Sequence, residues 1–582
     1  MRFLPLSSLL TGSFITGIQE PFVAPQPKVA LTPEIDHFIE GTLKNWNSPA
    51  GVAIAVVQKD THGGWSVETK GYGTAKTDGS NVTEDTLFAI GSNSKLFDVI
   101  AAGLLISNES LSPRISWSTK ISSIIPEWEL ADPIASSQSE IIDLMSHRTG
   151  LPRHDIFYHD EDMPLNLISK LKYLRPSAEF REIPQYNNFM YTVLSYIPEV
   201  LLKVPFTRYV KEHIFVPLGL KSTTYSAHEA QENGNLACGF GREHVNRTED
   251  IFSRGIPRAM PYWSRDAGEN GSISSGFGGV ISSAKDIATW LQVLLMLGQN
   301  PSTNEQIIPS SIILKAAAGF APFVYGGGQI ASSYRGHCFK TMITRFPFDN
   351  VGVAVLSNDD AFGGPFSQVI KYRIVDEIFD IEPIDWNSRI KQAATSRHKQ
   401  QMLRLIPRPT DPSPPSVSFT YLTGEYRHPA YGPLYLCALP SAGSFPVSPG
   451  CKQLIDELPI RLPRTVNISV PTFFTRIENT WASYLRFQHF DGNLFNVSGF
   501  DSLQILNPSE NSMQMEGQKY WAYSDDETRD NPITAEFAFD TDDRRVIGFG
   551  ITGNFWGAGA GVKDPVGESI QERAEVWFNC TY

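Results

Sequence analysis

Ser92 and Lys95 are the pair of side chains best spaced for covalent chemistry. A serine hydroxyl attacks poorly until a base removes its proton. Ser-x-x-Lys places an amine one helical turn from the hydroxyl, on the same face and within reach. The spacing recurs at Ser169/Lys172, Ser282/Lys285 and Ser396/Lys399, so spacing alone does not choose. Context does. Only Ser92 follows a short apolar run (87–90) through a glycine and opens a segment with Leu96, Ile100, Leu104 and Leu105 at helical spacing. A serine at a helix start lies among N–H groups without intrahelical acceptors, which favour a developing oxyanion. The same place also suits a simple helix cap. Tyr186-Asn187-Asn188 is the chain's single Tyr-x-Asn. A phenol beside a lysine can hold or relay a proton, and Asn188 can orient the amine and an acyl group. Alone, this triplet reads better as a capping Asn beside a buried aromatic.

These residues need elements to hold them. Residues 51–58 and 65–72 read as strands joined at Gly63-Gly64, and 87–90 as a short third. Helical spacing predicts helices over 95–106, 140–147, 190–202, 206–214, 284–297 and 367–379, in a span that is mostly helical to about residue 300. Residues 351–357 form a strongly apolar strand. Strands at both ends with helices between imply one sheet assembled from distant sequence. Residues 386–415 turn basic and polar, then Pro-rich, which is a linker signature. Residues 416–582 carry short alternating stretches such as 535–539, punctuated by Pro, Gly and aromatics, which predicts an all-β domain.

The chain has 582 residues, enough for two domains, and a net charge of −13. That charge disfavours nucleic acid, which needs a basic footprint. No apolar run is long enough to span a membrane. Arg2 followed by an apolar stretch reads as a leader or signal peptide over 1–25. Seven Asn-x-Ser/Thr sequons accompany it, so secretion is the expected localisation, with the cytoplasm as the alternative. Cys437 and Cys451 flank a Pro/Gly/Ser loop that a disulfide would close; two free thiols are the other reading.

In order, five segments resemble the serine β-lactamase and penicillin-binding-protein family, which includes class C β-lactamases, D-Ala-D-Ala carboxypeptidases and esterases. They are Phe88-Ala89-Ile90-Gly91-Ser92-Asn93-Ser94-Lys95, residues 144–152 (LMSHRTGLP), Tyr186-Asn187-Asn188, residues 213–220 (HIFVPLGL) and residues 278–284 (GGVISSA). The resemblance covers about 35–380. It implies an α/β two-lobed β-lactamase/transpeptidase-like domain over 30–385, with the site between the lobes. It implies Ser92 as the acylated nucleophile, Lys95 and Tyr186 sharing acid–base duty, and Asn188 as a hydrogen-bonding positioner. It implies no metal or organic cofactor, and a small-molecule ester or amide substrate, plausibly in secondary metabolism. Residues 422–426 (LTGEY) and 430–434 (AYGPL) resemble the β-domain following this catalytic domain in fungal-type members. The fold expected for 416–582 is therefore a sandwich or a lipocalin-like barrel.

One part of the family pattern is missing. The family carries Lys-Thr-Gly or His-x-Gly on the strand beside the nucleophile, before a strand ending in Phe/Leu-Pro. That second strand is here as residues 341–347 (TMITRFP). Only Cys338-Phe339-Lys340 joins it to residues 333–337, where the pattern wants about ten more residues. Lys340-Thr341-Met342 is either a degenerate form of the motif or a sign that it is deleted. Loss of an oxyanion donor costs about 10²–10³ in rate. Two further readings stand beside a hydrolase: a binding protein using the old cleft, and an acyltransferase on the same scaffold. A Ser-His-Asp enzyme is disfavoured, because no Gly-x-Ser-x-Gly is present.

Overall fold

A computed structural model describes residues 28–581, except 160, 248, 264–267, 319–338, 440–448, 467–468, 478, 506–518, 525–532, 541, 543 and 560. The region expected to hold a leader and residues 333–338 fall outside the described residues.

The catalytic sheet has the order β2-β1-β4-β3, with β1 Gly51–Lys59, β2 Trp65–Gly73, β3 Lys340–Phe346 and β4 Val351–Ser357, all antiparallel. Its central strands β1 and β4 are buried along nearly their whole length. This explains why they read as unbroken apolar runs rather than alternating ones: both faces are covered. On one face, Ala53, Ala55, Val57 and Leu356 share a core with Ile287 and Leu291 of the helix Ala284–Leu295. On the other, Val52, Ile54, Val353 and Val355 meet Ile35 and Ile39 of the helix Pro33–Asn45, and Phe366 and Ile370 of the helix Gly363–Ile378.

The helical lobe is built around α1 Lys95–Ser107 and α2 Phe189–Leu202, which pack together. The span between them and the sheet is less uniformly helical than its periodicity suggests. It includes a hairpin, Gly239–Glu243 with Ile256–Met260, and a strand Ile281–Ser283 paired with Leu87–Ala89.

The C-terminal domain is a closed antiparallel barrel, which resolves the choice between sandwich and barrel. Its eight strands run in the order 484–491, 472–476, 432–438, 424–428, 576–581, 546–552, 534–539 and 494–504, and the last pairs with the first. Closure leaves no edge among these strands, and their side chains alternate between an aromatic interior and the outside. In Thr534–Phe539, for example, Ala535 and Phe537 are the buried positions. Phe487, Phe495, Phe537, Phe549 and Phe578 fill the interior. Cys437 and Cys451 form a disulfide.

The segment read as a linker is ordered in its first half. Trp386–Arg404 is a helix capped by Asp385, with no buried residues. Its indole Nε1–H donates to Asp376 at 2.7 Å, and Asn387 accepts from Trp46 Nε1 at 2.7 Å. A surface helix held by polar contacts and one aromatic anchor carries little apolar periodicity, so its composition resembles a linker's. Barrel and catalytic domain share a continuous apolar core that includes Phe157 and Tyr158 on one side and Tyr431 and Trp481 on the other.

Candidate active site

The strand Leu87–Ala89 delivers the chain to Ile90, whose N–H donates to Val280 O at 2.9 Å. Gly91 then adopts φ +52, a left-handed conformation that a glycine takes without strain. This turns the chain into a short 3-10 segment, Gly91–Ser94, that runs into α1. Ser92 and Lys95 therefore sit on the first turn of that helix, both buried.

The spacing does what the sequence suggested. Lys95 Nζ lies 2.7 Å from Ser92 Oγ, 2.9 Å from Asn188 Oδ1 and 2.9 Å from the carbonyl of Phe277. Tyr186 Oη is 2.5 Å from Ser92 Oγ. Tyr186 and Asn188 come from the turn entering α2, 94 residues from the serine. All four expected residues thus converge. The other Ser-x-x-Lys pairs do not join them: Lys172 pairs with Glu129, Ser282 with Thr223 and Lys285 with Asp85, Lys391 of a further pair with Ser388 donates to Asn45 O, and Ser396 and Lys399 are exposed.

Three oxygens surround the lysine Nζ, and each can accept a hydrogen bond from it. Asn188 Nδ2 donates to Asp155 Oδ1 at 3.1 Å, so its Oδ1 faces Lys95. Asn188 Oδ1 and Phe277 O can only accept, which uses two amine hydrogens. In its neutral form the amine can instead accept the Ser92 hydroxyl hydrogen across the same 2.7 Å contact. Burial pushes the Lys95 amine well below its ordinary range, and the nearby Arg153 charge pushes the same way. Burial also raises the Tyr186 phenol, with the Ser92 contact opposing, so it stays protonated.

Several neighbours were not marked by the sequence. Arg153 and Asp155 form an ion pair at 2.6 Å, and the Arg153 guanidinium lies 5.3 Å from the Tyr186 ring centre. His147 packs beside Tyr186 at 4.6 Å between ring centres. Its Nδ1 accepts from Asn187 N–H at 3.1 Å, and desolvation lowers it to about 3, so it is neutral. Arg153 and Asp155 directly follow the LMSHRTGLP segment, and their charge was the available signal. Phe277 contributes a carbonyl and a ring whose centre lies 5.5 Å from Lys95 Nζ, and neither leaves such a signal.

The edge strand β3 starts against the nucleophile turn. Thr341 Oγ1 donates to Ile90 O at 2.9 Å and accepts from Asn93 Nδ2 at 2.8 Å. Lys340 pairs with Asp360 at 3.1 Å, and Asp360 accepts from Tyr523 Oη of the C-terminal domain at 2.6 Å.

The sheet-centred lobe, the helical lobe and the Ser-x-x-Lys pair opening the helix between them define a β-lactamase/transpeptidase-like domain. The Beta-lactamase family model matches residues 45–373, and the chain belongs to that family of β-lactamase-like hydrolases. An unguisins hydrolase of Aspergillus campestris is 29% identical over 435 residues, 69% of this chain and 77% of that protein. A second unguisins hydrolase, from Aspergillus violaceofuscus, is 24% identical over 516 residues, 80% of this chain and 83% of that protein. Among solved structures, the octameric penicillin-binding protein homologue from Pyrococcus abyssi is 15% identical, covering 89% of this chain and 98% of its own, with TM-score 0.48.

Proposed function

We propose that the chain is a serine hydrolase that cleaves an amide or ester bond of a small secondary metabolite through an acyl-Ser92 intermediate. The observation that carries this reading is the triangle of Ser92 Oγ, Lys95 Nζ and Tyr186 Oη, with contacts of 2.7 and 2.5 Å to the serine. Neutral Lys95 takes the Ser92 proton as Oγ bonds to the substrate carbonyl carbon. The bond to the leaving nitrogen or oxygen then breaks, and that atom takes a proton from the Tyr186 phenol, which the Lys95 ammonium restores. Water attacks the acyl-serine in the reverse sense and frees the acid. The N–H of Ser92 is one oxyanion donor in this scheme. The similarity to two proteins named as unguisins hydrolases supports the metabolite class.

A fluorophosphonate probe tests the reading. Intact mass should show one adduct on the wild type and none on Ser92→Ala. A folded wild type that takes no adduct would favour the second reading, a binding protein on the same cleft. That reading draws on the short 338–340 connection, which leaves no room for the turn that usually follows the third motif.

A further inference from the structure

The loop 554–559 of the barrel runs along the segment that carries Arg153 and Asp155. Its anchor is the buried carboxylate of Glu575, which accepts from Asn554 N–H at 2.8 Å and Trp556 N–H at 3.2 Å. From there Trp556 O accepts from His154 N–H at 2.8 Å, and Gly559 N–H donates to Gln185 Oε1 at 2.9 Å, next to Tyr186. Between these contacts lies Gly557, at φ +68. A Cβ there would come within 2.8 Å of Arg153 Cβ and 3.0 Å of its Cδ, so only a glycine lets the arginine lie where it does. A second barrel segment braces the other end: Asn479 Nδ2 donates to Ile156 O at 3.0 Å, and Trp481 Nε1 donates to Tyr158 Oη.

The segment held in this way reaches the reacting atoms in two steps. Arg153 pairs with Asp155 and lies over the ring of Tyr186. Asp155 accepts from Asn188, whose other amide atom accepts from Lys95. We propose that the barrel is a working part of the active site: loop 554–559 seats Arg153 over Tyr186 and Asp155 on Asn188, making both positioning residues for the Ser92–Lys95–Tyr186 chemistry. This inference rests on the serine-hydrolase reading. The groups acting on Lys95 are Asp98 on its own helix, Tyr186 and Tyr191 at and on α2, and His147, Arg153 and Asp155 on the intervening loops. Arg153 disfavours the ammonium form of Lys95 and Asp155 favours it, so the two make opposite predictions.

The test is the pH dependence of fluorophosphonate labelling on the full chain, with thermal unfolding as a check on folding. Arg153→Met should move the acid limb of the rate upward by about one pH unit, and Asp155→Asn should move it downward by a similar amount. Arg153→Lys should restore the limb toward the wild-type position. Gly557→Ala should shift it as Arg153→Met does, and add nothing further in the Arg153→Met background. A structural role alone would lower labelling without opposite shifts. Labelling of the wild type with both limbs unmoved overturns this inference and leaves the hydrolase reading standing. A Gly557→Ala limb at the wild-type position overturns the part assigned to the barrel. No Ser92 adduct on the wild type overturns both.

Discussion

Lys95 and Asp98 lie one turn apart on the same helix, both ionisable and both buried, yet their surroundings differ sharply. Lys95 contacts Ser92, Asn188 and Phe277 at 2.7–2.9 Å. Neither carboxyl oxygen of Asp98 has a hydrogen-bond partner among the described residues. Burial drives both toward neutrality, lowering the amine and raising the acid. The comparison separates two uses of desolvation. At Lys95 it favours the neutral amine, and the hydrogen bonds hold that amine beside Ser92 Oγ. At Asp98 it imposes a cost that no hydrogen bond among the described residues offsets.

The largest effect that sharpens this contrast is at the base. Lys95→Arg keeps a cation but supplies no lone pair, so labelling of Ser92 should fall about 10²–10⁴-fold in a folded protein. Labelling at the wild-type rate would mean that charge, not proton transfer, is what Lys95 supplies.

A smaller effect of opposite sign is expected at Asp98. Asp98→Leu should raise stability by about 1–3 kcal/mol at neutral pH, read by denaturant or thermal unfolding. The sign follows from linkage: the acid is neutral when folded, while above about pH 4 it ionises when unfolded, which favours the unfolded chain. The gain should therefore shrink as pH falls toward about 4 and change little below it. A large loss at neutral pH would show that the carboxyl has a partner role after all.

Smaller again in its effect on labelling is His154, which joins the two domains through Tyr431 Oη at 2.8 Å and also meets Arg175 O of its own domain at 3.0 Å. Burial lowers it to about 4. Because its folded value lies below the unfolded one of about 6.5, its contribution is present above pH 6.5 and is lost as pH falls toward 4, about 3 kcal/mol in all. His154→Gln should flatten the acid slope of the thermal midpoint across that window. His428, also lowered to about 4, keeps part of the slope.

Much of this was legible from the residues, for identifiable reasons. β1 and β4 read clearly because each is buried on both faces, and the nucleophile turn because Gly91 and the helix behind it are local features. Convergence of Tyr186 and Asn188 on Lys95 was legible only through family resemblance, because 94 residues separate Ser92 from Tyr186. The helix Trp386–Arg404 was missed because it buries no residue, and so shows no apolar stripe. Arg153 and Asp155 were missed because their partners Tyr186 and Asn188 are distant in sequence, and Gly557 because its contact exists only once the barrel lies against the catalytic domain. A close approach of a glycine to an arginine about 400 residues earlier leaves no local trace.

We propose that Lys95 is a neutral amine held 2.7 Å from Ser92 Oγ. The most direct test is the rate of fluorophosphonate adduct formation on the wild type as a function of pH, with the adduct located by mass. The account predicts one adduct, on Ser92, with a rate that rises with pH through a limb well below the ordinary lysine value of about 10.4 and then levels. A limb at that ordinary value, or an adduct on another residue, would contradict it.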